Sequence, residues 1–440
     1  FGTLDASDLG GQSDPEILTV ARLDAASGLL PQAIAIYSST QQTVDQRSQR
    51  HSRRLINEVA VAPSLPVKRA TVFIDGHPQR KHTLYAYNPG QRTSELTLTL
   101  RNDQGLVARE WEYALPAGEQ AQIEIEPLVG GTAPTSATLT VTTNAPIAMS
   151  AFRLSTNGRG EKILSPAPIA DFSSVSDQTT VPYIVSGGGY QSEVLLINPT
   201  EELAKGTITF YNETGEREAL GTRSDVLFYE IPPHSSYTIS SDRAGPNVLR
   251  GYATVKANAG NAPHSAALTK HWSGDIWTHE NLVSGISGSN VQFAVDLRPT
   301  MIRHGEIDID FVIVNPIENE VANISLSLGE GEITSDSLLP GEQKTISLRE
   351  TEGQSIYGIV SFSSDRPVAL TALQETLNIR SETVKMELPP ISEAAYFPYV
   401  PNGGGLSTEF RLANTSVQQA GGQLEFTTPS GEPATTTILR

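Results

Sequence analysis

The residues best suited to chemistry lie between His264 and Asn281, in the segment HSAALTKHWSGDIWTHEN. It holds three of the eight histidines of the chain and two of its three tryptophans. Trp272 and Trp277 flank Ser-Gly-Asp-Ile, which is typical of a hairpin turn, so His271 and His279 can share a face with both indoles. Such a face could bind carbohydrate by stacking, or a metal ion weakly. Because the spacing matches no metal motif, we favour a cross-strand aromatic pair at a domain junction.

A second group consists of the carboxylates of the segment EIDID. Glu306, Asp308 and Asp310 alternate along the chain, which places them on one face of a strand. Paired carboxylates could bind calcium or act in glycoside hydrolysis. Calcium loops take their ligands from a tight turn, so we favour a charged, solvent-facing strand that discourages aggregation.

A third group is basic. The segment RSQRHSRR contains Arg47, Arg50, Arg53 and Arg54 and is a dense cationic cluster in an acidic chain. It is either a solvated hairpin tip or a surface that docks on an acidic neighbour or a polyanion.

Composition excludes several classes of function. The formal net charge of −18 argues against a nucleic-acid partner, and the absence of cysteine excludes disulfides, zinc–thiolate sites and a cysteine nucleophile. There is no Gly-x-Ser-x-Gly elbow and no run of 18 apolar residues. We therefore expect a protein that is not an enzyme, has no cofactor and does not span a membrane.

Two glycine triplets raise the question of phosphate binding. YIVSGGGYQSEVLLINPT contains Gly187, Gly188 and Gly189, and YVPNGGGLSTEFRLANTS contains Gly403, Gly404 and Gly405. A phosphate loop needs a helix after the glycines, whereas an alternating apolar run typical of a strand follows here. The triplets therefore predict tight turns with positive φ at strand entrances.

The two triplets belong to a longer repeat. Four marker asparagines, spaced by 110, 117 and 99 residues, close an apolar run, and three of them precede proline. The markers are Asn88, Asn198, Asn315 and Asn414, with Pro89, Pro199 and Pro316 after the first three. A second strand, a proline turn and a strand pair recur after each marker, until the chain ends.

Short, turn-bounded strands in units of about 100 residues predict an all-β fold of tandem antiparallel β-sandwich modules of the Ig-like class. Greek-key barrels are the main rival, and a β-propeller fits less well because its blades have about 40–50 residues. The predicted boundaries are 1–66 for the C-terminal half of a module, 67–176, 177–288 and 289–392 for modules 1 to 3, and 393–440 for the N-terminal half of module 4.

The two half-modules need partners, because a half-sandwich leaves an apolar face and open strand edges. The halves could close a ring within one chain, pair between successive copies, or belong to a longer array. Three intervening modules favour pairing between copies or a longer array over a ring. In that interpretation Ala33, Ile34 and Ile36, with the basic cluster, form the assembly surface between copies.

The motifs resemble tandem β-sandwich modules of bacterial secreted and cell-surface proteins. The resemblance is carried by Tyr183–Thr200, Gly206–Gly215, Leu339–Gly341 and Ser364–Ala369. It implies an extracellular or cell-surface location and a scaffolding or adhesive role, with no catalytic residues. We expect a non-enzymatic structural protein that forms a rod, fibre or filament by head-to-tail pairing of copies. The alternative is an adhesin that binds cell-surface carbohydrate through the Trp272/Trp277 hairpin.

Overall fold

The computed structural model describes residues 2–5, 17–25, 32–44, 51–76, 80–125, 136–170, 176–300, 303–349, 356–392, 395–415 and 422–434. Every regular element in these ranges is a β-strand, and the strands pair in antiparallel sheets. The all-β prediction is therefore confirmed. No helix in this described part of the chain is long and apolar enough to cross a membrane.

The strands group into four two-sheet units, three of which are continuous in sequence. Unit 1 contains β5 (Val67–Asp75), β6 (Arg80–Tyr87), β7 (Ser94–Asn102), β8 (Val107–Leu115), β9 (Gln120–Ile125), β10 (Ser136–Thr156), β11 (Lys162–Pro166) and β12 (Ile169–Ala170). One sheet has the order β12-β5-β10-β7-β8 and the other the order β9-β6-β10-β11, with the long β10 passing from one to the other. The two sheets share one apolar cluster, because alternate residues of each strand point inward. On β7 these residues are Leu96, Leu98 and Leu100.

Units 2 and 3 repeat this arrangement. Unit 2 contains β13 (Gln178–Ser186), β14 (Tyr190–Ile197), β15 (Ala204–Asn212), β16 (Val226–Ile231), β17 (Ser236–Ser240), β18 (Leu249–Ala257), β19 (His264–Ser273) and β20 (Ile276–Val283). Its sheets are β13-β18-β15-β16 and β17-β14-β19-β20. Unit 3 contains β21 (Ile286–Asp296), β22 (His304–Val314), β23 (Ala322–Leu328), β24 (Gly331–Leu338), β25 (Gln343–Arg349), β26 (Tyr357–Leu377) and β27 (Thr383–Leu388). In unit 3 the long β26 again passes between the two sets of partners.

Unit 4 is assembled from both ends of the chain. It contains β1 (Gly2–Asp5), β2 (Ile17–Ala25), β3 (Gln32–Val44) and β4 (His51–Val61), together with β28 (Tyr396–Asn402), β29 (Leu406–Ala413) and β30 (Gly422–Thr427). Its sheets are β1-β29-β3-β4 and β28-β2-β30. C-terminal β29 therefore lies between two N-terminal strands, and N-terminal β2 lies between two C-terminal strands.

This arrangement corrects the expectation that a neighbouring copy would complete each half-module. The described strands of the two halves pair with each other within one chain. We expected successive units to extend along a line, but they turn about a common axis instead. The chain ends consequently meet, and a tethered partner competes at a high effective concentration against any second copy.

Turn glycines show how neighbouring units meet around the ring. A Cβ on Gly105 of unit 1 would lie 2.5 Å from the carbonyl oxygen of Pro233 in unit 2. A Cβ on Gly215 of unit 2 would lie 2.6 Å from Gly341 O of unit 3, and a Cβ on Gly431 of unit 4 would lie 2.8 Å from Gly118 O of unit 1. The contact from unit 4 to unit 1 thus has the same form as those between consecutive units.

At the axis of the ring, each unit contributes the last strand of one sheet. β4 packs against β11 and β27, and β20 packs against the same two strands from the opposite side. These four strands occupy equivalent positions in their units, as edge partners of β3, β10, β19 and β26. The centre of the molecule is therefore made of backbone and side chains from all four units.

Candidate functional site

The tryptophan hairpin lies at a junction between units. Trp272 on β19 and Trp277 on β20 are cross-strand partners, and both rings are half-buried. The guanidinium carbon of Arg243 lies 4.1 Å from the centre of the Trp272 ring, and that of Arg80 from unit 1 lies 5.0 Å from the Trp277 ring. Trp277 Nε1 also donates a hydrogen bond to the His279 carbonyl at 2.8 Å. A sugar stacking on either indole would compete with these cation–π contacts.

The two histidines of this hairpin have separate partners. His271 Nδ1 lies 3.0 Å from Thr278 Oγ1, and its ring centre lies 4.6 Å from that of Tyr190. His279 is buried at the axis of the ring. The described residues contain no group of three or more His, Asp or Glu side chains that could hold a metal ion.

His279 connects three units at the axis. The backbone N–H of Lys385 in unit 3 donates to His279 Nε2 at 2.9 Å, so the proton of a neutral ring lies on Nδ1 and points to Asn57 Oδ1 of unit 4 at 3.0 Å. Asn57 Nδ2 in turn donates to the Leu164 carbonyl of unit 1 at 2.7 Å. Burial lowers the pKa of His279 to about 3, so the ring is neutral over the ordinary pH range.

An ion cluster lies at the junction between units 1 and 2. The fully buried carboxylate of Glu280 lies 2.7 Å from Arg153 Nη2 and accepts a hydrogen bond from Ser165 Oγ at 2.5 Å. Burial raises the pKa of Glu280, but the positive charges of Arg153, Arg80 and Lys270 outweigh this and bring it to about 2. Both units therefore contribute charge to one network, and the carboxylate stays ionised.

Two further ion pairs flank this network. Arg80 pairs with Asp75, and Lys270 Nζ lies 2.5 Å from Glu193 Oε1. Burial lowers the pKa of both Arg80 and Lys270. The three cations and three anions of the cluster balance each other.

An equivalent clamp closes the junction between units 3 and 4. Arg303 of unit 3 donates to Glu58 Oε1 at 2.6 Å and to Glu409 Oε2 at 2.9 Å, so one guanidinium contacts the N-terminal and the C-terminal half of unit 4. Arg411 Nε donates to Glu409 at 3.0 Å and its Nη1 to Gln374 at 3.1 Å. Burial raises the pKa of Glu409, but Arg303 and Arg411 outweigh it and lower it to about 2.

The two ion clusters use matching positions of the repeat. Arg80 and Arg303 stand just before or at the start of the second strand of their units, and Glu280 and Glu58 lie on the axial strands. The matched pairs are Asp75 and Asp296, Arg80 and Arg303, Glu193 and Glu409, and Glu280 and Glu58. The ring thus repeats every second unit, which agrees with the 216-residue offset between the glycine triplets.

Each glycine triplet forms a turn that is hydrogen-bonded to the backbone of its own unit. All six glycines have positive φ, between 59° and 91°. Trp272 N–H donates to Gly189 O at 2.9 Å in unit 2, and Thr40 N–H donates to Gly405 O at 2.7 Å in unit 4. In unit 4 this bond joins the C-terminal triplet to the N-terminal segment.

The marker asparagines stitch loops together. Asn88, Asn198 and Asn315 are buried, and each Nδ2 donates to the carbonyl that ends the fourth strand of its unit. Pro199 and Pro316 follow them at strand ends, and Asn414 follows β29. These contacts hold the loops in place.

The remaining candidates are not brought together. Asp308 pairs with Arg349 at 3.4 Å, and Asp310 accepts a hydrogen bond from Ser347 Oγ at 2.5 Å, both across strands. Of the third carboxylate, Glu306, only the backbone on β22 is described. Arg47 and Arg50 lie outside the described residues, Arg53 is described on β4 for its backbone only, and Arg54 is exposed.

The assembly residues on β3 are buried inside the chain itself. Ala33, Ile34 and Ile36 are fully buried, with Ala33 in the core of unit 4 and the two isoleucines against the core of unit 3. Their burial requires no second copy. The sequence analysis did not identify the buried charged residues Arg153, Arg303 and Glu58. A single charged residue inside an apolar strand, such as Glu58 in LINEVAV, could have indicated them.

Comparisons with known proteins add little to this geometry. A scan against protein-family models gives no match, and a search of curated proteins gives no significant match. Among solved structures, an anti-sigma factor domain-containing protein from Clostridium clariflavum aligns with 84% of this chain and 99% of its own at 10% identity, with a TM-score of 0.13. A likeness this distant carries no argument about fold or function.

Proposed function

We propose that this chain is a non-enzymatic extracellular structural protein, a scaffold of four Ig-like β-sandwich modules closed into a ring by its own ends. The observation that carries the proposal is the interleaving in unit 4, where β29 lies between β1 and β3 and β2 lies between β28 and β30. Neither half can complete its sheets without the other, so closure fixes the whole molecule.

The use of charge supports a structural role. Active sites commonly contain groups whose pKa is shifted toward the working pH. Here the pKa values of Glu280 and Glu409 are both about 2 and that of His279 is about 3, and each group is held between units. These side chains join modules and are poorly suited to transfer protons near neutral pH.

A rod or filament remains a proposed assembly of the same parts. If the ends of one chain opened, the half-modules could pair with those of another copy through the same strand contacts. Closed monomers and filaments would then form through the same interface, and a high protein concentration would favour the filament.

The proposed location rests on composition and resemblance. Charged residues make up only 18% of the chain and there is no cysteine. The module motifs resemble those of bacterial surface proteins. The carbohydrate-binding alternative at Trp272 and Trp277 gains no support from the guanidinium groups on both rings.

A cysteine pair tests closure. Ser38 on β3 and Ser407 on β29 are directly opposite, and the natural chain has no cysteine. In Ser38→Cys/Ser407→Cys, oxidation should give a cross-linked monomer on a non-reducing gel at every protein concentration. Covalent ladders in place of the monomer would show pairing between copies and contradict the closed ring. Each single variant is the control for accidental intermolecular disulfides.

A further inference from the structure

The junction between units 1 and 2 contains a cleft of about 740 Å³. Its walls come from β5, β6, β10 and the β7–β8 turn on one side, and from β14, β16, β17 and β19 on the other. This volume lies within the range of about 300–1,000 Å³ that is typical of small-ligand sites, which often form at domain interfaces.

The cleft has a mixed lining, in which polar groups lie beside apolar surface. Six of its 15 lining residues are charged, five carry hydroxyl groups and one carries an amide. Phe73, Leu203 and Pro232 are the apolar residues of the lining, and carbon atoms of the polar side chains add further apolar surface. A purely hydrophobic ligand would leave polar groups of the lining without partners, at a cost of about 1–3 kcal/mol each, so the occupant needs both polar groups and apolar surface.

The charges of the lining argue against a simple ion. Arg80 and Lys270 are already paired with Asp75 and Glu193. The other charged groups, Asp103 and Glu230, are carboxylates at the rim, so the cleft does not favour an anion. No group of three or more metal-binding side chains occurs among the described residues, which disfavours a bound metal ion.

Hydrogen-bonding capacity is left over at the walls. Arg80 Nε, Ser236 Oγ and Thr238 Oγ1 are buried and have no hydrogen-bond partner. Both hydroxyls can rotate to donate or accept. Asp103 and Glu230 add carboxylate acceptors, Glu230 while also paired with Lys205 at 3.0 Å, and Tyr237 adds an aromatic side chain to the lining.

We infer that this cleft binds a neutral saccharide of one or two rings. Vicinal hydroxyls both donate and accept, which matches carboxylates beside guanidinium and hydroxyl groups, and the faces of a sugar ring can pack on an aromatic side chain. This site is distinct from the tryptophan hairpin, although Arg80 contributes to both. The inference does not depend on the proposed structural role or on ring closure.

The test uses free glucose, galactose, N-acetylglucosamine and maltose as probes of the full chain in saturation-transfer NMR. At least one sugar should give a signal. Asp103→Ala/Glu230→Ala, which removes the rim acceptors, should weaken binding about tenfold, as expected for the loss of one or two hydrogen bonds to charged groups. Ser240→Trp should abolish it by filling the cleft at an exposed lining position. Glu216→Ala, an exposed carboxylate outside the cleft, is the matched control.

Three results would overturn the inference. The first is the absence of a signal for all four sugars. The second is binding that survives both cleft variants but is lost in Trp272→Ala, which would return the site to the hairpin. The third is binding that survives both cleft variants and Trp272→Ala, which would place the sugar elsewhere on the surface.

Discussion

Tyr37 and Tyr399 are separated by 362 residues and meet in the core of unit 4. The Tyr37 hydroxyl donates a hydrogen bond to the Tyr399 carbonyl, and the two rings meet edge-on with centres 5.7 Å apart. Tyr399 also stacks on Tyr85 of unit 1 at 4.0 Å. This one contact therefore joins the N-terminal segment, the C-terminal segment and the neighbouring unit.

Truncation of Tyr37 should weaken the packing between the two halves of unit 4. Tyr37→Ala should lower the free energy of unfolding by about 3–5 kcal/mol, because it empties a fully buried aromatic site. Tyr37→Phe should cost only about 1–3 kcal/mol, because it leaves one buried carbonyl without a donor. Urea unfolding measures both, and Tyr113→Ala, at a position 39% exposed, is the control. Equal effects for Tyr37→Ala and Tyr113→Ala would contradict the closed core.

Arg303 should be the most sensitive charged residue of the closure. Arg303→Ala leaves Glu58 and Glu409 buried with one cation fewer, and removal of one partner from a buried ion pair costs about 3–5 kcal/mol. Arg366→Ala removes an exposed pair with Glu320 and should cost less than about 1 kcal/mol. Hydrogen exchange should rise in β3, β4 and β29 of the Arg303 variant. Exchange that is unchanged there would show that Arg303 does not hold the ends.

The repeat, the strands and the turns were predictable because they follow local rules. Alternating apolar residues specify strands, and glycine before a strand specifies a turn with positive φ. Even the half-modules at the two ends could be recognised from the order of their strands. These features depend on a few neighbouring residues, which a single sequence displays.

Closure of the ring was not predictable by the same means. It depends on the angle between units, which is set by close contacts such as Gly105 with Pro233 and Gly431 with Gly118. Each contact joins two turns that are far apart in sequence, and the residues of one turn do not indicate which other turn it will contact. The same holds for Arg303, whose two acceptors lie 245 and 106 residues away.

The glycine triplets should differ in sensitivity according to the space above each Cα. Alanine at Gly189 would place its Cβ 2.7 Å from Trp272 O at φ +90°, and at Gly405 the Cβ would lie 3.2 Å from Thr40 O at φ +91°. At Gly274, φ is +63° and no atom lies within 4 Å. Gly274→Ala should cost about 1 kcal/mol from the backbone alone, with Gly405→Ala and then Gly189→Ala costing more. Thermal unfolding checks this order, and the reverse order would contradict it.

Acid should weaken the contacts between units over two pH ranges that begin at different pH values and overlap below pH 4.5. Glu280 and Glu409 have pKa values of about 2 against an ordinary value of 4.5, so their contribution is complete above pH 4.5 and is lost as the pH falls toward 2. His279 has a pKa of about 3 against 6.5, so below pH 6.5 the unfolded chain binds a proton that the folded chain does not. His279 therefore destabilises the fold between pH 6.5 and 4.5, where these two carboxylates are still ionised.

Replacement of His279 should remove its contribution to the pH dependence of the free energy of unfolding. With one fewer proton taken up on unfolding, the free energy of unfolding of His279→Gln should fall less steeply than that of the natural protein, by about 1.4 kcal/mol per pH unit below pH 6. Above pH 7 the two curves should run parallel, with the variant lower because the bonds to Asn57 and Lys385 are altered. Urea unfolding from pH 4.5 to pH 8 measures both curves. Parallel curves over the whole range would mean that the ring of His279 accepts a proton in the folded protein as readily as in the unfolded chain, which would contradict the burial of this ring at the axis.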